Sequence, residues 1–335
     1  MVPQAISMSE PTPQRPFFLG VDLGGTNIKA GVVDNNGVPL SRVERATEAE
    51  KGPEHGIQRI CQASRDAVRE AGLTLNAIHS VGVGSPGPLD LAAQILINPY
   101  NLPGWLNLPL ARRVGENLGL PGVLQNDANA AAFGEYWAGV GRGKQSLVQF
   151  TLGTGIGCGI VIDGELYRGV DGCAGDIGHI RVEEFGPTCA CGNTGCLEAF
   201  AGGAALGRDA TAAARSGRSE VLAAMLAERP DLSAADVGLA VAQGDPVAVQ
   251  LIRDSGRRVG QVLASLVSFF NPGLIVIGGR VTGLGHALLA EVRGVTYRRS
   301  LPLATGNLPI VLSELGDEGG VIGAARLIST SVYAP

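Results

Sequence analysis

The stretch Asp176–Glu198, DIGHIRVEEFGPTCACGNTGCLE, holds one of the chain's four histidines and three of its six cysteines. Cys189, Cys191 and Cys196 fall within eight residues, and His179 precedes them by ten. Three thiolates and an imidazole make a complete tetrahedral zinc set. It is closed to further ligands, so the implied ion is structural rather than a Lewis acid with an open position. Gly186, Gly192 and Gly195 let the backbone turn tightly around a small ion. Two other readings of these cysteines are buried core thiols and a disulfide. Core thiols seldom crowd a Gly- and Asn-containing loop, and nothing in the sequence marks an oxidising compartment. A carboxylate flanks the cluster on each side, Asp176 and Glu198.

Around this stretch, 335 residues imply two domains or two lobes, and 45% apolar residues suffice for a full core. The 50 glycines are far above average usage and imply many turns that approach something closely. A net charge of −5 without a basic block argues against nucleic acid and anionic membranes as partners. No apolar run is long enough to span a bilayer. Residues 1–16, with four prolines, read as a disordered tail rather than a signal peptide. The expectation is a soluble cytoplasmic protein with reduced thiols.

The apolar run Phe17–Asp22 leads through Gly24, Gly25, Thr26 and Asn27 into a second run, Ile28–Asp34, and past an Asn-Asn-Gly turn into a third, Val38–Ala46. This is strand, tight loop, strand, turn, strand. Such a loop exposes N–H groups that can hold a phosphate, and Asp22 at the strand end could face the Mg²⁺ a phosphate carries. An ordinary glycine hairpin fits the same residues. The design recurs at Leu147–Thr151, then Gly153, Thr154, Gly155 and Gly157, then a strand to Ile162. Each loop alone is a weak signal. Two together suggest two lobes of related build offering phosphate loops to a shared cleft.

Gly56–Glu70 carries a helical apolar stripe, and Ile78–Val83 reads as a strand. Gly82–Gly87 matches G-x-G-x-x-G only formally, because Pro86 and Pro88 break the chain where a helix should open. Gly141–Lys144 is no P-loop, since Gln145 stands where Ser or Thr is needed. Asn98–Trp105, NPYNLPGW, is an irregular loop that could aim Asn101 at hydroxyls or merely cover the surface. Leu108–Leu118 reads as a helix and Gly122–Gln125 as a strand. Asp127 follows at the start of an alanine-rich helix, either as its N-cap or as a general base at a strand end. Gly202–Leu251 is helical in pattern, broken near Gly217, Pro230 and Gly244. A long helix, Pro246–Phe270, precedes the strand Leu274–Ile277. Gly278 and Gly279 then make a plain turn or admit a ring or ribose. Leu308–Leu312 is a last strand and Gly319–Ile328 a closing helix.

Together these residues resemble the ROK family of sugar kinases, bacterial glucokinases in particular, from about Phe17 onward. Four blocks carry the resemblance: Asp22–Asn27, Asn126–Asn129, Gly153–Gly157 and the cluster ending at Glu198. The last is the most specific. The family pattern is Glu-x-Gly-His, then Cys-x-Cys-Gly-x-x-Gly-Cys-x-Glu; this chain has Asp176-Ile177-Gly178-His179, then Cys189 to Glu198 in full agreement. The resemblance implies an α/β, actin-like and hexokinase-like (ribonuclease H-like) fold of two lobes around a cleft. Residues 17–125 plus about 316–335 would form the small lobe, and 126–315 the large lobe with the zinc site.

ATP, Mg²⁺ and a hexose would meet in that cleft. By the resemblance, Asp127 takes the proton from the sugar 6-hydroxyl. Gly84, Asn101, Asn126, Asp176, His179 and Glu198 surround the sugar, and His179 also ligates zinc. Asp22, Gly24, Gly25, Thr26, Asn27, Gly153, Thr154, Gly155, Gly157, Gly278 and Gly279 serve ATP and its metal. A homodimer is expected on the same ground. Asp176 departs from the family's Glu by one methylene, which bears on the choice of sugar; Ala201 stands where a serine often occurs. The alternatives are an N-acetylhexosamine kinase for GlcNAc or ManNAc and a sugar-responsive repressor. Repressors of this type carry an added helix-turn-helix domain, and only about sixteen residues precede the first strand here.

Overall fold

The protein, described by a computed structural model over residues 13–280, 284 and 286–327, is built on two five-stranded sheets of matching topology. In the first, β1 (Phe17–Leu23), β2 (Asn27–Val33) and β3 (Val43–Ala46) form an antiparallel meander. Helix α1 (Pro53–Glu70) crosses to β4 (Ile78–Ser85), which runs parallel to β1. A short hairpin, β5 (Leu89–Asp90) and β6 (Ile95–Leu96), and α2 (Leu110–Leu118) precede β7 (Gly122–Asn126), parallel to β4. The strand order is β3-β2-β1-β4-β7. Helix α3 (Asp127–Ala138) then leads to the second sheet.

There β8 (Ser146–Leu152), β9 (Ile156–Ile162) and β10 (Glu165–Leu166) repeat the meander. Five helices follow: α4 (Leu197–Ala201), α5 (Gly203–Arg215), α6 (Glu220–Leu226), α7 (Ala234–Ala242) and α8 (Pro246–Phe270). Strand β11 (Ile275–Gly278) returns parallel to β8; after α9 (His286–Arg299) and α10 (Pro302–Thr305), β12 (Ile310–Leu312) lies parallel to β11. Helix α11 (Gly319–Leu327) closes the described chain. The order β10-β9-β8-β11-β12 is that of the first sheet, strand for strand. This is the α/β, actin-like and hexokinase-like two-lobe fold.

Local chemistry explains the elements. The β1 sequence FFLGVDL is buried nearly throughout because helices cover both faces, α1 on one side and α11 on the other. Helix α8 starts where Asp245 accepts the Ala248 N–H at 2.7 Å, with Pro246 in the first turn, and stops at Asn271 with φ 41°. Strand β3 is shorter than the pattern suggested. Buried Asp34 accepts the N–H groups of Asn36 and Val38, which spends residues 34–38 on a turn. Gln14 donates its N–H to the same carboxylate at 3.0 Å, so part of the predicted tail is hydrogen-bonded; residues 1–12 lie outside the described ones.

Helices α3 and α11 pack against each other between the two sheets, α3 on β8 and β9, α11 on β1, β2 and β4. Many of the glycines act here rather than at turns. A Cβ on Gly134 would sit 2.2 Å from Gly319 O, and one on Gly323 would sit 1.7 Å from Ala130 O. Gly20 and Gly82 admit the α11 backbone in the same way, with Val321 O and Ala324 O at 2.0 and 1.9 Å from a notional Cβ. Among the described residues, no helix is long and apolar enough to cross a membrane.

Candidate active site

The parallel strands β1, β4 and β7 end side by side, and ligands of open α/β sheets bind at such carboxyl ends. Asp22 pairs with Gly84, Gly84 with Gln125, and Ser85 with Asn126. A Cβ on Gly84 would lie 3.7 Å from the Asp127 Cα, so glycine there keeps space beside that residue. The N-cap of α3 is Asn126, whose Oδ1 accepts the Asn129 N–H at 3.0 Å; Asp127 is the first helical residue. Its Oδ1 accepts the Ala128 N–H at 2.8 Å, which leaves Oδ2 for a ligand.

Between β1 and β2, the Gly24 N–H donates to Asn27 O at 2.9 Å, and buried Thr47 clamps the loop through Gly24 O and Thr26 O, both at 2.7 Å. Among the described residues, the N–H groups of Gly25 and Thr26 have no acceptor. Asn27 donates through its side chain to Glu44. Asn101 lies over this loop: a Cβ on Gly25 would meet Asn101 O at 2.8 Å. Trp105, fully buried beneath α1, anchors the Asn101 segment.

The second loop is built the same way. Gly153 N–H donates to Gly155 O at 3.0 Å, and the Thr154 and Gly155 N–H groups have no acceptor among the described residues. Gly157 faces Ala128 in the first turn of α3, so this hairpin lies beside Asp127. Gly278 pairs with Thr151. Gly279 has φ +87° and its Cα packs on the Leu152 backbone, 2.5 Å from a notional Cβ, so glycine there serves a turn and close packing.

The Cys/His stretch borders this second loop. His179 sits in a single turn, Ile177–His179, and Cys196 caps α4. Gly192 at φ +89° and Gly195 at φ +79° make the reversals between the ligands. The four donor atoms lie within 4.8 Å of one another. A tetrahedral zinc site has S–S edges of about 3.8 Å and N–S edges of about 3.6 Å. Cys191 and Cys196 sulfurs are 3.8 Å apart, and His179 Nδ1 is 3.5 Å from Cys189 Sγ. Burial pushes the Cys189 thiol up to about 12, and burial raises Cys196, so thiolates there need a cation; the Asn193 backbone N–H lowers Cys191. The residues fit a zinc ion.

Carboxylates crowd the space between the loops. Burial raises Asp22 to about 6, with the nearby Asp127 adding to it and Lys29 opposing. Burial also raises Asp127, against the hydrogen bonds from its helix start, and Asp176 adds to the rise. Asp176 is raised by burial; His179 lowers it, while Asp171 and Glu198 push it further up. Asp22, Asp127 and Asp176 thus form one connected field, with Glu198 adding to the charge at Asp176, and the charged forms of the three aspartates are held at a cost until a ligand or cation arrives.

Comparison with known proteins identifies the family. Residues 18–331 match the model of the ROK family. The chain belongs to the ROK family. A glucokinase of Thermotoga maritima is 35% identical, covering 94% of this chain and 98% of its own. A glucokinase of Streptomyces coelicolor is 38% identical, covering 92% and 96%. The crystal structure of a ROK family glucokinase from Streptomyces griseus, in complex with glucose and AMPPNP, superposes with a TM-score of 0.82 at 37% identity, covering 93% of this chain and 98% of that one.

In this ROK chain the fold brings together Asp22, Gly84, Asn101, Asn126, Asp127, Asp176, His179 and Glu198, along with both glycine loops. Sequence reasoning missed Lys29, Thr47 and Gly320. Lys29 pairs across the hairpin with Asp22 and reaches Asp317 at 3.3 Å; a lone lysine in the apolar run Ile28–Val33 was its signal. Gly320, in the first turn of α11, gives the Asp22 carboxyl room, 3.0 Å from a notional Cβ. Nothing local marks Gly320 or Thr47, because their partners are distant in sequence.

Proposed function

We propose that the protein is an ATP-dependent glucokinase that transfers the γ-phosphoryl group of MgATP to the 6-hydroxyl of glucose. The observation that carries this reading is Asp127: among the described residues, a carboxylate with one free oxygen, at a helix start, between two glycine loops that each leave two N–H groups unpaired. Asp127 Oδ2 accepts the hydroxyl proton as the O6–P bond forms and the bond from phosphorus to the β–γ bridging oxygen breaks, releasing MgADP. A pKa above the ordinary carboxylate range brings this base closer to the alcohol it serves.

The remaining roles follow from donor and acceptor chemistry. Asn126 has its Oδ1 engaged by Asn129, so its Nδ2 donates to a sugar hydroxyl. Asn101, Asp176, His179 through Nε2, Glu198 and the backbone at Gly84 complete the sugar site. Gly24 to Asn27 and Gly153 to Gly157 cradle the phosphates, Asp22 faces the metal of MgATP, and Gly278 and Gly279 lie toward the nucleoside. His179, Cys189, Cys191 and Cys196 would hold zinc, which with four protein ligands supplies shape and orientation rather than an open Lewis-acid position. We further propose lobes at residues 17–125 plus about 316–335 and at 126–315, a cytoplasmic location and a homodimer, the last checked by light scattering.

The test is phosphorylation of glucose, mannose, GlcNAc and ManNAc with ATP. Glucose should give the highest kcat/KM. Turnover of GlcNAc or ManNAc without glucose would replace the reading by an N-acetylhexosamine kinase.

A further inference from the structure

Glu198 does more than face a sugar. Its Oε2 accepts the Ile156 N–H at 2.8 Å, at the closing edge of the second glycine loop. Gly155 lies so close that a Cβ would stand 2.2 Å from the same oxygen. Its Oε1 stands 3.7 Å from Cys189 Sγ, against the metal-ligand set. Glu198 is also the second residue of α4, which Cys196 caps. Past α4, the Gly203 and Ala204 N–H groups at the start of α5 donate to Gly153 O and Thr154 O at 2.9 and 3.0 Å. On the other side, Gly178, beside His179, packs on Ile156 O, 2.3 Å from a notional Cβ. Residues 153–156 are therefore gripped by three neighbours, each within one helical turn of a metal ligand or joined to one by α4.

We infer that Glu198 is a positioning residue that ties the metal knot to the second glycine loop, so that a filled knot sets how tightly that loop holds nucleotide. The inference rests on the reading of the loop as a phosphate site. The knot fixes the start of α4 through Cys196, and α4 aims the Glu198 carboxylate and the α5 amides. These hold the loop, in which the Thr154 and Gly155 N–H groups have no acceptor among the described residues. Without the tie, the loop orders only when nucleotide binds, and the ordering cost appears as lost affinity. A carboxylate acting on the sugar alone would leave nucleotide affinity unchanged.

Calorimetry of MgADP binding without sugar tests this on the full chain, with zinc content measured in parallel. The zinc-loaded wild type should bind MgADP. Glu198→Ala, retaining one zinc per chain, should bind about tenfold more weakly, the scale of one hydrogen bond to a charged group. Glu198→Gln should recover most of the loss, since its amide oxygen still accepts from Ile156. Chelated wild type should resemble Glu198→Ala, and chelation should weaken Glu198→Ala little further. MgADP affinity at the wild-type level in zinc-loaded Glu198→Ala, or in chelated wild type, overturns the inference. Failure of the loaded wild type to bind MgADP overturns instead the reading of the loop as a phosphate site.

Discussion

The two sheets share one strand order but not one chemistry. Strand β1 corresponds to β8, β2 to β9, β4 to β11, and β7 to β12. Asp22 pairs with Gly84 in the first sheet where Thr151 pairs with Gly278 in the second. Lys29 stands opposite Asp22 where Gly157 stands opposite Thr151. Asp127 opens α3 directly after β7, whereas Ser313, directly after β12, continues the register at the position of Gln125; α3 answers α11. Among the described residues, both halves keep a tight loop with two unpaired N–H groups, so either could receive a phosphate. Of these positions only Asp22 and Asp127, both in the first half, are carboxylates. On the proposed reading, a duplicated frame offers an anion site in each half, and the asymmetric acids would decide which side takes the proton and which faces the metal.

The largest break in this symmetry should be Asp127 against Ser313. Asp127→Asn keeps the shape and removes the base, so kcat should fall by about 10²–10⁴ while sugar and nucleotide still bind. Ser313 instead donates to buried Glu135, whose carboxylate also accepts the Leu315 N–H, so Ser313→Ala should lower stability and spare turnover. The pH profile sharpens the contrast. Burial and Asp176 raise Asp127, so its ionised form is lost at a higher pH than for an ordinary carboxylate. The acid limb of kcat/KM should therefore lie above pH ~4, where an unperturbed aspartate would place it. Wild-type turnover in Asp127→Asn would remove this residue from the mechanism.

The next effect concerns what joins the halves. Gly134 and Gly323 admit each other's helix backbone at the α3–α11 crossing. Replacing a helical glycine by alanine ordinarily gains about 1 kcal/mol. At Gly323 the new methyl would meet Ala130 O at 1.7 Å, and sterics should win. Urea unfolding of Gly323→Ala should show a loss of about 3 kcal/mol. The same residues mark the limit of what sequence revealed. The hairpins, the Cys/His cluster and the span of α8 were legible because their signals are local: period, turn residues, a cap and close Cys spacing. The crossing glycines, Thr47 and Gly320 were not, since each is fixed by an atom far along the chain. The short strands β5, β6 and β10 were missed for want of a period. Asp127 was ambiguous until Asn126 proved to be the cap.

The smallest and most direct comparison is Asp22 with Thr151. Asp22 sits against Gly320 at the start of α11, and burial with Asp127 nearby raises it from 3.8 to about 6 despite Lys29. A carboxyl with a raised folded pKa contributes stability that is fully present below pH 3.8 and is lost as pH rises from there through about 6, above which both states are ionised. Asparagine mimics the protonated form at every pH. Without Mg²⁺ and nucleotide, Asp22→Asn should therefore match wild type below pH ~4 and exceed it by about 2–3 kcal/mol at pH ~7, measured by unfolding at both pH values. Its catalytic effect should have the opposite sign, with apparent affinity for Mg²⁺ in the ATP complex about 10–100-fold weaker. Thr151→Val tests the matched site. The Thr151 hydroxyl is buried without a hydrogen-bond partner among the described residues, so a methyl of the same shape removes nothing that is paired. Stability should stay within about 1 kcal/mol of wild type at both pH values. A pH-dependent gain in Thr151→Val, or none in Asp22→Asn, would mean that the asymmetry of the two halves does not reside in this pair.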